Sequence, residues 1–267
     1  MRAATRRVQA IQVVMLRLSV DPDFGRRVYH DDCVVIELPD GRYELTAEDL
    51  ALVRAVDHRA WTTDRFRRAR FVQALIEEYL LTTALVGVPA IDAFFSSEAF
   101  VHVLSHRGSM AEALGDWLPG RVPASARPFI ALEAAVVRAR RGVRPEGQGL
   151  VAVPGKEGVS LPEGALAHWQ SGLAQLGPEA LKAVAEGRRW QAPKLSSARE
   201  YLLIERNEQG GLGVHVMSAG VIGVLAFCRS PRSRSAVSRE ARRLKVPKKR
   251  VSGLLRRMLH EGLLLER

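Results

Sequence analysis

Seven histidines are the first candidates for chemistry: His30, His58, His102, His106, His168, His215 and His260. His102 and His106 are four residues apart, so on a helix they can chelate a metal from one face. That pair is what a metalloenzyme reading would use. No HExxH acid accompanies it and no third ligand is near in sequence, so polar surface positions are the plainer account. Glu77 and Glu78 are adjacent acids, but on a helix they face roughly 100° apart and make no natural acid–base dyad. The chain contains no phosphate loop, dinucleotide fingerprint or GxSxG elbow. Gly210, Gly211 and Gly213 read as turn chemistry rather than a phosphate cradle. Cys33 and Cys228 form no CxxC pair and no disulfide framework, as expected of reduced thiols in a cytoplasmic protein. These residues predict no catalytic group, no metal and no cofactor.

Charge is the more informative signal. The 267 residues carry a formal net charge of +11. Twelve Lys and Arg lie between Arg229 and Arg257 against one acid, Glu240, so this segment holds the whole excess and the rest sums to zero. Concentrated charge costs self-repulsion, and it points to an anionic partner more strongly than diffuse charge does. Hydrophobic residues make up 47% and charged residues 26% of the chain, a globular balance that excludes wholesale disorder. The basic N-terminus is interrupted by Arg7, Gln9, Gln12 and Arg17, so it resembles neither a signal peptide nor a membrane span.

The elements that would position these residues follow from periodicity. Val8, Ile11, Val14, Met15 and Leu18 recur at helical spacing, and Asp21-Pro22 stops that run. Val34–Ile36 and Tyr43–Leu45 flank Pro39-Asp40-Gly41, which predicts a small hairpin. Thr46 reads as the N-cap of the next helix. One long helix is predicted over 63–86, with Val72, Leu75, Ile76 and Tyr79 as its apolar stripe and Thr62 or Thr63 as its cap. Shorter helices are expected at 91–95, 98–106, 110–117 and 125–140, followed by a polar linker over 141–149.

The second half changes character. Strands are expected at 150–153 and 159–161, and a helix at 163–176. The clearest hairpin joins 201–206 to 212–216. Val214 and Val216 share one of its faces, with His215 on the other. Helices at 219–228, 235–244 and 247–260 follow, the last opened by Pro247 and lined by Val251, Leu254, Leu255 and Met258. The order strand, strand, helix, helix, helix is the arithmetic of a winged helix. A DNA-binding transcriptional regulator, with 247–260 as recognition helix, is one reading. Its weakness is that no adjacent Asn or Gln offers an adenine contact.

The stretch Asp57-His-Arg-Ala-Trp61-Thr-Thr-Asp64-Arg-Phe66-Arg-Arg68, continuing to Glu77-Glu78-Tyr79, resembles a family of partner proteins. These assist multinuclear non-heme iron-dependent enzymes that oxidatively modify cysteines in ribosomally made peptides. Met15-Leu-Arg-Leu-Ser-Val-Asp21-Pro22-Asp-Phe24 is similar to the family's N-terminal helix. Phe94–Phe100 and Arg107–Leu118 also look like family segments. The chain departs from the pattern at Leu80, where the family often has Pro, and at the 33–45 hairpin, which replaces a helical segment.

The resemblance implies a non-catalytic subunit that holds no iron itself. It docks the iron enzyme and presents a precursor peptide through a winged-helix-like recognition element. There a leader peptide adds as a strand to a hairpin edge and packs against the third helix. The expectation is therefore an α+β chain with an N-terminal all-helical, enzyme-docking domain over 1–146. A winged-helix-like, peptide-recognition domain would span 147–267. Leu212, Val214, Val216, Arg250, Gly253, Leu254 and Arg257 are the candidate peptide-binding residues. In this reading Val214 and Val216 floor a groove beside the last helix, or else are core. Arg250 and Arg257 bracket an acidic peptide, and Gly253 admits close approach. Trp61, Asp64, Phe66 and Arg68 are the candidate enzyme interface. The plainer alternative makes Trp61 and Phe66 core residues and pairs Asp64 with Arg68 along the helix. Nucleic acid is the less favoured partner, and no membrane is expected.

Overall fold

The computed structural model describes residues 2–62, 65–106, 108–142, 146–207 and 209–267. In chain order its elements are α1 (Arg2–Leu18), α2 (Pro22–His30), β1 (Val35–Leu38), β2 (Gly41–Glu44), α3 (Ala47–Arg54), α4 (His58–Thr62), α5 (Arg65–Glu78), α6 (Leu80–Val86), α7 (Val88–Asp92), α8 (Glu98–His106) and α9 (Met110–Trp117). They continue as α10 (Arg127–Arg141), β3 (Leu150–Ala152), β4 (Lys156–Pro162), α11 (Ala165–Leu176), α12 (Ala180–Ala185), β5 (Arg199–Arg206), β6 (Leu212–Val216), α13 (Ala219–Phe227), α14 (Arg234–Arg243), α15 (Lys248–His260) and β7 (Leu264–Glu266). The chain is α+β and divides into two compact units. One comprises Met1–Val122 and Leu176–Trp190, the other Pro123–Gln175 and Gln191–Arg267.

In the first unit, α1 ends at Leu18 and Asp21-Pro22 starts a new helix rather than only stopping the old one. The Asp21 carboxylate accepts from the Phe24 N–H at 3.0 Å, and Pro22 occupies the first turn, where its missing N–H costs nothing. The unit is not all-helical. β1 and β2 pair from Val35↔Glu44 to Leu38↔Gly41, and Gly41 supplies the positive φ of the turn. Ile36 and Leu38 are buried with Val13, Val14, Phe24 and Leu50, so the hairpin completes a core that α1 to α3 cannot close alone.

Thr46 caps α3 in a reciprocal box with Asp49. The buried Asp49 carboxylate also accepts from Arg7 Nε at 2.6 Å and from the Tyr43 hydroxyl at 2.9 Å. Burial alone would raise the Asp49 pKa. The hydrogen bonds from Thr46, Arg7 and Tyr43 together outweigh it and hold the carboxyl below its ordinary range.

The long helix expected over 63–86 is two helices. The break falls at Tyr79, which is fully buried, has non-helical φ/ψ of −125° and 49°, and donates its hydroxyl to the Ala111 carbonyl at 2.7 Å. Leu80 is then the first residue of α6, a position where Pro is also favoured. Thr62 ends α4, and Thr63 lies outside the described residues.

The second unit is built on an antiparallel sheet of order β4–β5–β6 and a separate β3–β7 pair. The expected hairpin is present, and β4 adds a third strand from Lys156↔Glu205 to Pro162↔Arg199. Both faces of β5 are covered. Leu202 and Ile204 pack with Val159, Leu161 and the α10 residues Leu132, Ala135, Val136 and Ala139. Leu203, on the opposite face, joins α13, α14 and α15 through Ile222, Leu225, Val237, Ala241, Val251 and Leu255. Because α10 belongs to this core, the units divide at 122/123, not in the polar 141–149 stretch that the sequence marks as a linker. Gly158 lets the sheet approach α13, since a Cβ there would sit 3.0 Å from the Ile222 carbonyl and 3.1 Å from Leu225 Cβ.

Among the described residues no helix is long and apolar enough to cross a membrane.

Candidate functional site

Among the described residues strand β6 is an edge strand, bonded to β5 alone. Its backbone polarity can be read from the register. Val216 lies opposite Leu202, Val214 opposite Ile204 and Leu212 opposite Arg206. The Met217 N–H donates to Tyr201 O and the Asn207 N–H to Gly211 O, both at 2.9 Å. Hydrogen-bonded and non-bonded pairs alternate in an antiparallel ladder. Gly213 and His215 therefore turn their N–H and C=O toward β5. Leu212, Val214 and Val216 turn theirs outward. Among the described residues, these three outward pairs of backbone groups meet no partner.

The same register corrects one expectation. Val214 and Val216 stand opposite Ile204 and Leu202, so their side chains share the face on which α10 packs. They do not floor a groove on the α15 side of the sheet. The β6 residues on that side are Gly213, His215 and Met217. A strand's alternation shows that two valines share a face but not which face, because the neighbours that decide it are remote in sequence. Nor are the valines core. Val214 is 37% and Val216 78% exposed, whereas Leu212 is half-buried against the α10 cluster. On the other face, His215 Nε2 lies 3.1 Å from Glu205, which also meets Lys156 Nζ at 3.3 Å.

All twelve cations of the basic segment are exposed, while Val237, Ala241, Val251 and Leu255 turn inward. Four of its twelve cations have acidic partners: Arg229 with Glu157, Arg234 with Glu266, Arg243 with Glu240 and Arg257 with Glu261. Arg250, Lys248, Lys249 and Arg256 on α15 pair with no acid among the described residues, nor do Arg232, Arg239, Arg242 and Lys245. The two arginines expected to act together are thus unequal. Arg257 donates to Glu261 at 2.7 Å, while Arg250 keeps its charge uncompensated. Leu254 lies between them on the helix and packs partly into the cluster containing Leu203. Gly253 is open, with nothing within 4 Å of where its Cβ would stand.

In the first unit, the indole N–H of Trp61 donates to the Tyr29 hydroxyl at 2.9 Å, and the ring packs partly against the α1–α3 core. Arg68 grips Asp92 in a fork, with Nε–Oδ1 and Nη2–Oδ2 both 2.8 Å, and also donates to the Val20 carbonyl. The Asp92 hydrogen bonds hold the Arg68 pKa above its ordinary value. Arg68 thus ties α5 to α7 across 24 residues of sequence; its pairing with Asp64, the plainer sequence account, falls on a residue outside those described. Asp64 and the Phe66 side chain lie outside the described residues. Trp61, Arg68 and Asp92 line a pocket of about 350 Å³ together with Val20, Pro22 and Val72.

His102 and His106 stack, ring centroids 4.0 Å apart, and His106 Nδ1 lies 2.9 Å from the His102 carbonyl oxygen. Among the described residues no three His, Cys, Asp or Glu side chains gather to hold a metal ion. Cys33 is exposed, and the buried Cys228 thiol is pushed up to about 11 by burial. A thiol in that state is a poor nucleophile at neutral pH.

No family model matches the chain, and no curated protein matches it.

Proposed function

We propose that this chain is a non-catalytic partner subunit. It binds a ribosomally made precursor peptide and presents it to a multinuclear non-heme iron enzyme that oxidises the peptide's cysteines. One observation carries the peptide half of this reading: an edge strand with three outward backbone pairs, in a sheet whose inner strand is already packed on both faces. Natural proteins shield such an edge unless it is used. Strand addition there uses bonds the fold leaves unmade. Eight cations on the turns and helices after β6 meet no acid among the described residues, which favours an acidic leader. Three helices following a three-stranded sheet support a winged-helix-like recognition element.

The enzyme half rests on the resemblance of the 57–79, 94–100 and 107–118 segments, with the Trp61 and Arg68 surface of the first unit as the docking candidate. The iron and the oxygen chemistry belong to the enzyme subunit.

Reconstitution tests the reading. The iron enzyme and a cysteine-containing precursor peptide are combined with and without this chain, and modification is followed by mass. The expected result is modification that depends on the chain, while the chain alone modifies nothing. Equal modification without it contradicts the proposal. A specific footprint on duplex DNA at physiological salt would replace it with a regulatory role.

A further inference from the structure

We infer that the β6 edge reads an alternating pattern, selecting an extended peptide with apolar residues at every second position. This deepens the proposed function and rests on its peptide-adding reading.

On β6 the outward backbone and the α10-side side chains coincide in register. The residues whose backbone faces outward, Leu212, Val214 and Val216, are the ones whose side chains share the α10 face. A strand that adds antiparallel to β6 places its own residues directly opposite these three, on that face. Val216 and Val214 are exposed there, and Leu212 continues the row into the buried α10 cluster. Apolar residues at those positions cover the row and remove it from water. Polar or charged residues there leave it wet.

The intervening residues of the incoming strand fall beside Gly213, His215 and Met217, on the face where α13 to α15 pack. His215 and Glu205 already form a polar pair there, and α14 and α15, which carry most of the cations that meet no acid among the described residues, pack on that face. Small polar or acidic residues suit those positions. The selected sequence therefore alternates apolar with polar or acidic over about five residues. Its apolar side chains lie on the sheet face opposite the basic helices, not between β6 and α15.

Two labelled peptides of identical composition separate phase from composition. Both have Asp and Glu flanks; one carries Val-Ser-Val-Ser-Val between them and the other Val-Val-Val-Ser-Ser. Fluorescence anisotropy measures each against the full chain and against the Val214→Thr/Val216→Thr variant. Threonine keeps the β-branched shape, and both positions are solvent-exposed, so the variant retains the strand. The alternating peptide sets three valines on the apolar face and the blocked one two, so it is expected to bind about threefold tighter, as one further apolar cross-strand pair supplies. The variant is expected to reduce that preference to less than about 1.5-fold.

Equal affinities, no measurable binding of the alternating peptide, or a preference unchanged in the variant each overturns the inference. A dimer in sedimentation that the variant dissociates also overturns it, by assigning the edge to a second copy. Failure of the underlying reading looks different. In that case an authentic precursor leaves the outward amides of Leu212, Val214 and Val216 unprotected from hydrogen exchange. Protection of those amides without any preference for phase sinks the inference alone.

Discussion

Among single residues, the two arginines bracketing Leu254 separate most clearly. Arg257 is 76% exposed and already satisfied by Glu261, whereas Arg250 meets no acid among the described residues. Exposed charge pairs contribute about 0.2–1 kcal/mol. Arg250→Ala is therefore expected to weaken binding of an acidic leader by up to about 1 kcal/mol, and Arg257→Ala by less, in anisotropy titrations at low salt. The reverse ranking would place the peptide nearer the C-terminal end of α15. Asp49 governs a different property. Its carboxyl is held below the ordinary range, so its stabilisation is present above the unfolded carboxylate pKa of about 3.9 and is lost as pH falls through the lower folded value. Asp49→Asn should cost about 1–3 kcal/mol at neutral pH, because Arg7, Tyr43 and Thr46 lose a charged acceptor. Melting curves at pH 7 and pH 3 check this, with the gap between wild type and variant narrowing at the lower pH. A gap that widens at pH 3 refutes the assignment.

At the scale of elements, what the sequence disclosed depended on how local the determining contacts are. The 201–216 hairpin and α15 were legible because alternation, turn glycines and an apolar stripe at helical spacing sit within one segment. Thr46 disclosed the start of α3 for the same reason. The break at Tyr79 was hidden, since it depends on a hydroxyl reaching Ala111, 32 residues away. The pairing of β4 with β5 and the Arg68–Asp92 fork are also long-range. The 212–216 strand was legible as a segment, while the face of its valines needed the partner strands. One packing detail tests the sheet's seating on α13. Gly158→Ala forces a methyl against the Ile222 backbone carbonyl, which cannot swing aside as a side-chain tip can. Overpacking of this kind costs about 1–3 kcal/mol. Chemical denaturation should register that loss, and an unchanged midpoint would mean that β4 and α13 are not packed this closely.

For the whole molecule, the two units carry different chemistry. The first unit holds a Trp61–Tyr29 bond and an Arg68–Asp92 fork beside a small pocket, on the surface proposed to dock the enzyme. The second holds the open strand edge and the concentrated positive charge. An account in which one unit docks an enzyme and the other captures a peptide makes separable claims, and residue-resolved hydrogen exchange on the full chain reads both. Adding a cysteine-containing precursor peptide is predicted to slow exchange at the Leu212, Val214 and Val216 amides. Gly213 and His215, already bonded to β5, should change little. Adding the iron enzyme should slow exchange around Trp61 and Arg68. Protection by the peptide in the first unit, or none at the three outward amides of β6, would contradict the account.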